Sequence, residues 1–227
     1  MMMETLYNHG YFLEPLESTL AHPKHVIGGQ QRLHGAVSPN SGKPLLQLAA
    51  INTAVSELCP NPWRSDTLCF LYSWTCAICE GPFSYRQTDS YVEILEAQHG
   101  PTYSDFPFPF YPDTFVEVPC MLLPLTDEQR STIAELNSAA SDIRFDLQLS
   151  KPELSIPRHQ IGGEPFFVSR RPVVSWCPTC NQRMRFLASI GNDTFRDSMG
   201  FSGNKFVQLI YEACTNCSVL TVNNYGD

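Results

Sequence analysis

The segment His159-Gln-Ile-Gly-Gly163 decides how the rest of the sequence is interpreted, because it has a counterpart at His25-Val-Ile-Gly-Gly29. Two further landmarks recur in the same order and at nearly the same spacing. They are Ser38-Pro-Asn-Ser41 matched with Cys177-Pro-Thr-Cys180, and Cys76-Ala-Ile-Cys79 matched with Cys214-Thr-Asn-Cys217. Ordered landmarks at one spacing indicate an internal repeat. We therefore predict two homologous halves, residues 1–125 and 126–227, related by a pseudo-twofold axis and fused into one domain.

Both halves follow one plan that is rich in β-structure. An Ile-Gly-Gly turn needs a backbone that glycine tolerates or a close approach to another element, so it either lines a pocket or lets strands cross closely. Apolar runs over 44–51 and 184–190 predict strands, and a second strand ends at each CxxC pair. Shorter β-rich stretches follow at 91–95 and 219–222, and 114–118 is a further candidate strand. The capping box Thr126-Asp-Glu-Gln129 predicts a helix that ends near Ser141. The expected fold class is α+β and β-rich.

The cysteines carry the clearest chemical signal. The chain has nine, and six of them form CxxC pairs, a spacing that indicates metal binding in a protein without a secretion signal. Two pairs that each form a tight turn supply four thiolates, the ligand set of a closed tetrahedral zinc site. We predict structural Zn²⁺ bound by Cys177, Cys180, Cys214 and Cys217. Four reduced thiols or two redox pairs are the alternatives.

The first half lacks the equivalent set, because Ser38 and Ser41 stand where the second half has Cys177 and Cys180. Cys76 and Cys79 can recruit other ligands, or they can pack as small hydrophobic residues left over from a lost site. We favour the second interpretation and leave both out of the predicted metal site. The candidates for recruitment are Cys59, Cys69 and His34.

The net charge of the chain indicates which kind of partner to expect. The chain has 15 basic and 23 acidic residues, a formal net charge of -8. An acidic chain rarely tracks phosphates, so nucleic acid is not an expected partner, whereas a basic protein is. No apolar run reaches the roughly 18 residues that cross a bilayer, and no secretory signal is visible at the start. The sequence therefore predicts a cytoplasmic protein without a membrane partner.

Catalytic motifs do not stand out. The sequence has no GxSxG, Walker or HExxH motif, and a four-cysteine zinc site activates no water. His25 and His159 precede the glycines in both halves, which favours a role in the fold. We predict a non-catalytic protein, with a thiol- or zinc-dependent enzyme using Cys76 and Cys79 as the alternative. The aromatic and proline-rich stretch at 106–112 is either a strap over the core or a stiff docking surface for a protein.

The landmarks also resemble a known family. Ile161-Gly-Gly-Glu-Pro165, then CPxC, then Met184-Arg-Phe-Leu-Ala-Ser-Ile190 and an apolar strand into CxxC are similar to the YwqG-like family of bacterial proteins. They are more distantly similar to the programmed-cell-death-protein-like chaperones of a ribosomal protein. The resemblance implies a duplicated β-rich fold that binds a protein. The expected function is that of an immunity-type protein neutralising a basic toxin, with a chaperone of a basic ribosomal protein as the alternative. The additional cysteine-rich finger of the chaperones is missing here.

Overall fold

The computed structural model of the protein describes residues 9–16, 25–54, 65–73, 82–97, 114–168, 174–191 and 207–225. Most strands come before the helices: β1 (Tyr11–Pro15), β2 (His25–Gly29), β3 (Leu46–Asn52), β4 (Thr67–Tyr72), β5 (Phe83–Gln87), β6 (Val92–Glu96) and β7 (Phe115–Pro124). Helices α1 (Asp127–Ser138) and α2 (Ser141–Ser150) and a 3-10 turn (Pro152–Leu154) follow. The chain continues with β8 (Gln160–Ile161), β9 (Arg185–Gly191), β10 (Gln208–Cys214) and β11 (Val219–Tyr225).

All eleven strands belong to one antiparallel sheet that curls into a half-barrel. Its order is β4-β3-β2-β7-β1-β8-β9-β10-β11-β5-β6. Strand β1 pairs with β7 on one side and with β8, the first strand of residues 126–227, on the other, whereas β7 pairs with β1 and β2, which both belong to residues 1–125. The order outward from β7 (β2, β3, β4) thus matches the order outward from β1 (β8, β9, β10). Residues 1–125 and 126–227 build the same sheet, and β5 and β6 extend it beyond β11.

The predicted β-rich fold class is confirmed, and most predicted elements lie close to the observed ones. Strands β3 and β9 cover the two apolar runs, and β10 ends at the predicted CxxC pair. Strand β7 is longer than the predicted 114–118. Helix α1 has the predicted capping box, in which the Thr126 side chain accepts from the Gln129 N–H and the Gln129 side chain accepts from the Thr126 N–H.

Helix α2 was not predicted, because its inward position is polar. Arg144 is buried, its guanidinium donates to the Phe167 carbonyl and lies 4.9 Å from the centroid of the Phe166 ring. Ile143, Phe145 and Leu149 of α2 are exposed, whereas Leu147 packs against the cluster of buried residues that includes Phe12 and Leu136. Of the helices in the described residues, none has the length and apolar character needed to cross a membrane.

Two cores lie on opposite faces of the sheet. The main core fills the inside of the curl and is rich in leucine and aromatic side chains, among them Phe70 and Tyr211, whose ring centroids are 5.0 Å apart. A smaller cluster places Phe12 of β1 under α1, where Ile133 and Leu136 pack against it. Strands β3, β4 and β10 are buried along almost their whole length, which explains why most of their residues are apolar.

The Ile-Gly-Gly turns permit close approach between strands. Gly28 and Gly29 have φ of 71° and 86°, and Gly162 and Gly163 have φ of 65° and 63°, a region that favours glycine. A Cβ on Gly163 would lie 2.9 Å from the Cα of Gly10, so the backbone before β1 leaves no room for a side chain there. The prediction that these turns need glycine is confirmed. The sequence left two roles open for these turns, lining a pocket or letting strands cross closely. The geometry at Gly163 supports the close crossing of strands.

Side chains of β5 and β10 bind the free edge of β4. The hydroxyl of Tyr85 donates to the Cys69 carbonyl (2.8 Å) and accepts from the Leu71 N–H (3.0 Å). The Gln87 amide accepts from the Cys69 N–H (2.9 Å) and donates to the Thr67 carbonyl (2.5 Å). The hydroxyl of Tyr211 donates to the Leu71 carbonyl (3.2 Å). Main-chain groups that an edge strand normally leaves open are thus satisfied inside the core.

These bonds make the Tyr85 hydroxyl important for stability. In Tyr85→Phe the Leu71 N–H and the Cys69 carbonyl lose a partner at a site that water does not reach, so we expect the free energy of unfolding to fall by about 2 kcal/mol. The matched control Tyr91→Phe removes a hydroxyl from a half-exposed side chain and should change it by about 0.5 kcal/mol or less. Urea denaturation measures both variants, and equal losses would contradict the role of Tyr85.

Candidate metal centre

The first cysteine pair is the turn of a short β-hairpin. The Cys177 N–H donates to the Gln182 carbonyl (2.9 Å), and the Met184 N–H donates to the Ser175 carbonyl (2.9 Å). Inside the turn, the Asn181 N–H donates back to the Cys177 carbonyl (2.8 Å). Asn181 has φ of 54°, a left-handed conformation that asparagine tolerates better than most residues. This turn directs the side chains of Cys177 and Cys180 to the same side.

The second pair forms the turn between β10 and β11. Cys214 is the last residue of β10, and its carbonyl accepts from the Cys217 N–H at 3.3 Å. Ser218 has φ of 53°, so in both turns the residue after the second cysteine is left-handed. A left-handed serine costs of order 1 kcal/mol, and such strain is typical of sites where geometry serves a function.

The two turns bring their four sulfurs together as predicted. The Sγ atoms of Cys177, Cys180, Cys214 and Cys217 all lie within 4.8 Å of one another, and those of Cys180 and Cys214 are 3.6 Å apart. Four sulfurs at about 2.3 Å from one tetrahedral ion would be about 3.8 Å apart, so the cluster fits a metal ion closely. A side-chain hydrogen bond from Asn216 to Gln182 (2.9 Å) joins the turns outside the cluster.

The protonation of the cluster explains why a cation suits it. Burial raises the pKa of Cys177, but N–H groups of Cys180 and Thr179 and the neighbouring thiols outweigh burial, so this pKa lies below its usual value. Burial, and then the neighbouring thiols, raise the pKa of Cys217 to about 12. Burial also raises the pKa of Cys214. One cysteine therefore loses its proton readily, and its negative charge opposes deprotonation of the others. A bound cation would offset the repulsion between the thiolates.

Arg86 of β5 ties the cluster to the first half of the chain. Its Nε donates to the Cys217 carbonyl (3.1 Å) and its Nη2 to the Thr179 hydroxyl (3.0 Å), so one guanidinium holds both turns. Its Nη1 pairs with Glu93 of β6 at 2.5 Å. Leu95 of β6 packs against Cys177, Met184, Cys214 and Val219. Residues far away in the sequence thus surround the cysteine cluster and would form the outer shell of a bound metal ion.

Sequence analysis did not identify Arg86, and the arginines nearest to the first pair in the sequence are Arg183 and Arg185. Both of these are exposed, and the field of Arg183 acts on Glu212. Burial raises the pKa of Glu212, while the Ser175 N–H (3.0 Å) and Arg183 stabilise its charged form. Nothing in the local sequence distinguishes Arg86, because it reaches the turns through the pairing of β5 with β11.

The first half contains the same hairpin without its thiols. The Ser38 N–H donates to the Lys43 carbonyl (2.7 Å), the Gly42 N–H to the Ser38 carbonyl (2.8 Å) and the Leu45 N–H to the Ala36 carbonyl (2.9 Å). These bonds correspond one for one to those around Cys177. Gly42, with φ of 67°, stands at the position of Asn181. The two hairpins therefore share one local backbone, with serine at 38 and 41 and cysteine at 177 and 180.

The remaining candidate residues are separate from the cluster. Cys69 and Cys120 are buried in β4 and β7, and burial raises the pKa of each to about 12. His25 and His159 are also buried, and the Nδ1 of His25 accepts from the Asn52 N–H at 3.3 Å. His34 is joined to residues 90–92 through its main chain. Cys59, Cys76, Cys79 and the stretch at 106–112 lie outside the described residues.

Comparisons with known proteins identified no relative of this chain. Searches of protein-family profiles, of curated proteins and of solved structures returned no match. The resemblance to the YwqG-like family therefore stays a prediction.

The outer-shell position of Arg86 can be tested directly. Arg86→Gln removes the charge and the bond that joins the two turns, so we expect metal affinity to fall by about tenfold. Arg130→Gln is the matched control, because Arg130 bonds within the helix α1 region, to Asp127 and the Leu125 carbonyl. Competition with a chromophoric chelator measures both variants, and equal affinities would show that Arg86 does not support the site.

Proposed function

We propose that this protein is a non-catalytic protein-binding module whose C-terminal half is held by structural zinc. The observation that carries the metal assignment is the cluster of four sulfurs from two turns. Zinc is the ion that most often takes a closed set of four thiolates. With every position taken by sulfur, no open site is left for water, so the ion would stabilise the fold and activate no substrate.

The narrower proposal is an immunity-type protein that binds and neutralises a basic toxin domain. Its supports are the net charge of -8 and the resemblance of residues 155–222 to YwqG-like proteins. A chaperone that binds a basic ribosomal protein is the alternative on the same supports. In either form we propose a cytoplasmic protein that binds neither nucleic acid nor a membrane.

We also propose that the two halves arose by duplication. The strand order supports this, since β2, β3 and β4 follow β7 outward in the sheet as β8, β9 and β10 follow β1. The hairpin at residues 36–45 supports it further, because it repeats the hydrogen bonds of residues 175–184 without their cysteines. On this proposal the ancestral unit bound metal, and the first half lost two of its ligands.

A thiol-dependent enzyme is the alternative of another class. It would depend on Cys76 and Cys79, whose reactivity is measured by alkylation. Among the described residues outside the cluster, Cys69 and Cys120 do not favour it. Their pKa values near 12 leave almost no thiolate at neutral pH.

Removing one ligand tests the structural zinc. Because zinc binding and folding are coupled at such a site, Cys214→Ser should lose both the metal and about 3 kcal/mol of stability, or about 10 °C in Tm. Cys120→Ser changes a buried thiol outside the cluster and should keep one zinc ion per chain. Metal analysis and thermal unfolding give the two readouts. Loss of zinc without a change in Tm would contradict a structural role.

Affinity capture tests protein binding. The tagged protein, purified from its native host beside a tag-only control, should retain one stoichiometric basic protein because their opposite charges favour association. Mass spectrometry identifies that protein, and its identity separates toxin neutralisation from ribosomal chaperoning. A zinc-loaded protein that retains no stoichiometric partner would contradict the proposed function while leaving the metal site intact.

A further inference from the structure

The hairpin that carries Cys177 and Cys180 also presents an unusual surface. Its two arms pair so that Trp176 faces Arg183 and Ser175 faces Met184. Side chains alternate between the faces of a β-ribbon, so residues 174, 176, 183 and 185 share one face. Burial follows this alternation: Ser175 and Met184 are buried, whereas Val174 is 41% and Trp176 58% exposed. We call the face formed by Val174, Trp176, Arg183 and Arg185 the ribbon face.

The composition of the ribbon face is that of a binding surface. Trp and Arg are the residues most enriched among those that dominate protein interfaces. An exposed indole offers a large rigid apolar area, and exposed guanidiniums offer paired donors for carboxylates. The metal-free hairpin of the first half differs here, since Gly35, Val37, Pro44 and Leu46 hold the equivalent positions. The aromatic and basic groups belong to the hairpin with the cysteines alone.

Charge on the ribbon face is opposite to that of the whole chain. Residues 174–185 contain two arginines and no Asp or Glu, in a protein with a net charge of -8. The thiol of Cys177 is turned inward and buried, and Glu212, on which the field of Arg183 acts, is buried as well. The exposed ribbon face therefore presents positive charge to a partner, and carboxylates complement that charge.

The metal centre would hold this surface rigid. Trp176 directly precedes Cys177, and Arg183 follows Gln182, whose carbonyl accepts the Cys177 N–H. The arms that carry the ribbon face are thus continuous with the turn that binds the ion. A preordered surface loses less conformational entropy on binding, which strengthens association.

We propose that the ribbon face is the docking surface for an acidic segment of the protein partner, with an apolar side chain of that segment packed on Trp176. The proposal rests on the proposed function and specifies where the partner binds. The net charge acts at long range and favours a partner that is basic overall, whereas the ribbon face acts at contact and selects an acidic segment within it.

Selection from a random linear peptide library, displayed on phage and panned on the zinc-loaded protein, tests this chemistry. The expected peptides carry clustered Asp or Glu beside an aromatic or aliphatic residue. Their binding should weaken by roughly tenfold or more in Trp176→Ala and in Arg183→Glu/Arg185→Glu. Enrichment of basic peptides, or affinities that both variants leave unchanged, would overturn the proposal.

Matched controls separate the ribbon face from general effects of charge and exposure. Arg32→Glu/Lys151→Glu makes the same change of net charge elsewhere, and Phe145→Ala removes another exposed aromatic side chain. Both should bind the selected peptides as the parent does. Zinc content and circular dichroism confirm that each variant is folded and loaded. If either control variant weakens peptide binding as much as the matching ribbon-face variant does, the proposal would also be overturned.

The partner captured from the host gives an independent readout. If Trp176→Ala loses that partner while Phe145→Ala retains it, the ribbon face is its docking surface. If both retain it, the ribbon face is not the docking surface and the proposed protein binding still stands. The failure of this inference is therefore distinguishable from the failure of the proposed function.

Discussion

Strand β5 is the element on which the rest of the structure depends, because its two faces make different connections. Toward the core, Tyr85 and Gln87 bind the open edge of β4. On the other face, Arg86 holds both cysteine turns, and the Ser84 hydroxyl lies 2.8 Å from that of Thr221 on β11. An edge strand leaves main-chain N–H and C=O groups unpaired. At β4, side chains of β5 bind these groups in place of a further strand. These buried hydrogen bonds favour a single packing of β5 against β4, because any other packing would leave buried polar groups without hydrogen-bond partners.

The hairpin that carries the first cysteine pair does not depend on its thiols to form. Residues 36–45 form the same hairpin with serine at both ligand positions, so the main-chain bonds and the left-handed residue suffice to set the local path of the chain. What the four thiols add is a link between two hairpins that are distant in sequence. In the first half the buried side chains of Ala36 and Leu45 occupy the inner face of the hairpin. The second half has Ser175 and Met184 there, next to the cluster.

Two of the four clustered cysteines, Cys177 and Cys180, lie on the hairpin that carries the ribbon face, which connects stability with the proposed recognition. An exposed tryptophan on a flexible loop would pay a large ordering cost on binding. Trp176 directly precedes Cys177 and is paired with Arg183 in the hairpin, so a metal ion bound at Cys177 would fix its backbone before a partner arrives. On our proposal, acidic residues elsewhere would set the long-range field and this small basic region would select the contact, so net charge alone would describe the partner incompletely.

The sequence by itself determined the features that depend on short-range order. The strands over 46–52 and 185–191, the capped start of α1, the glycine turns and the two cysteine pairs follow from local spacing and residue type. That four thiols would meet was also predictable, because metal coordination restricts how CxxC pairs are used. Tertiary structure alone decided the pairing of β5 with β11, the position of Arg86 and the closure by Tyr85. It also decided that Arg144 of α2 points inward. These depend on contacts between residues far apart in the chain, and the free energy that favours them is shared among many strands, so no local pattern records it.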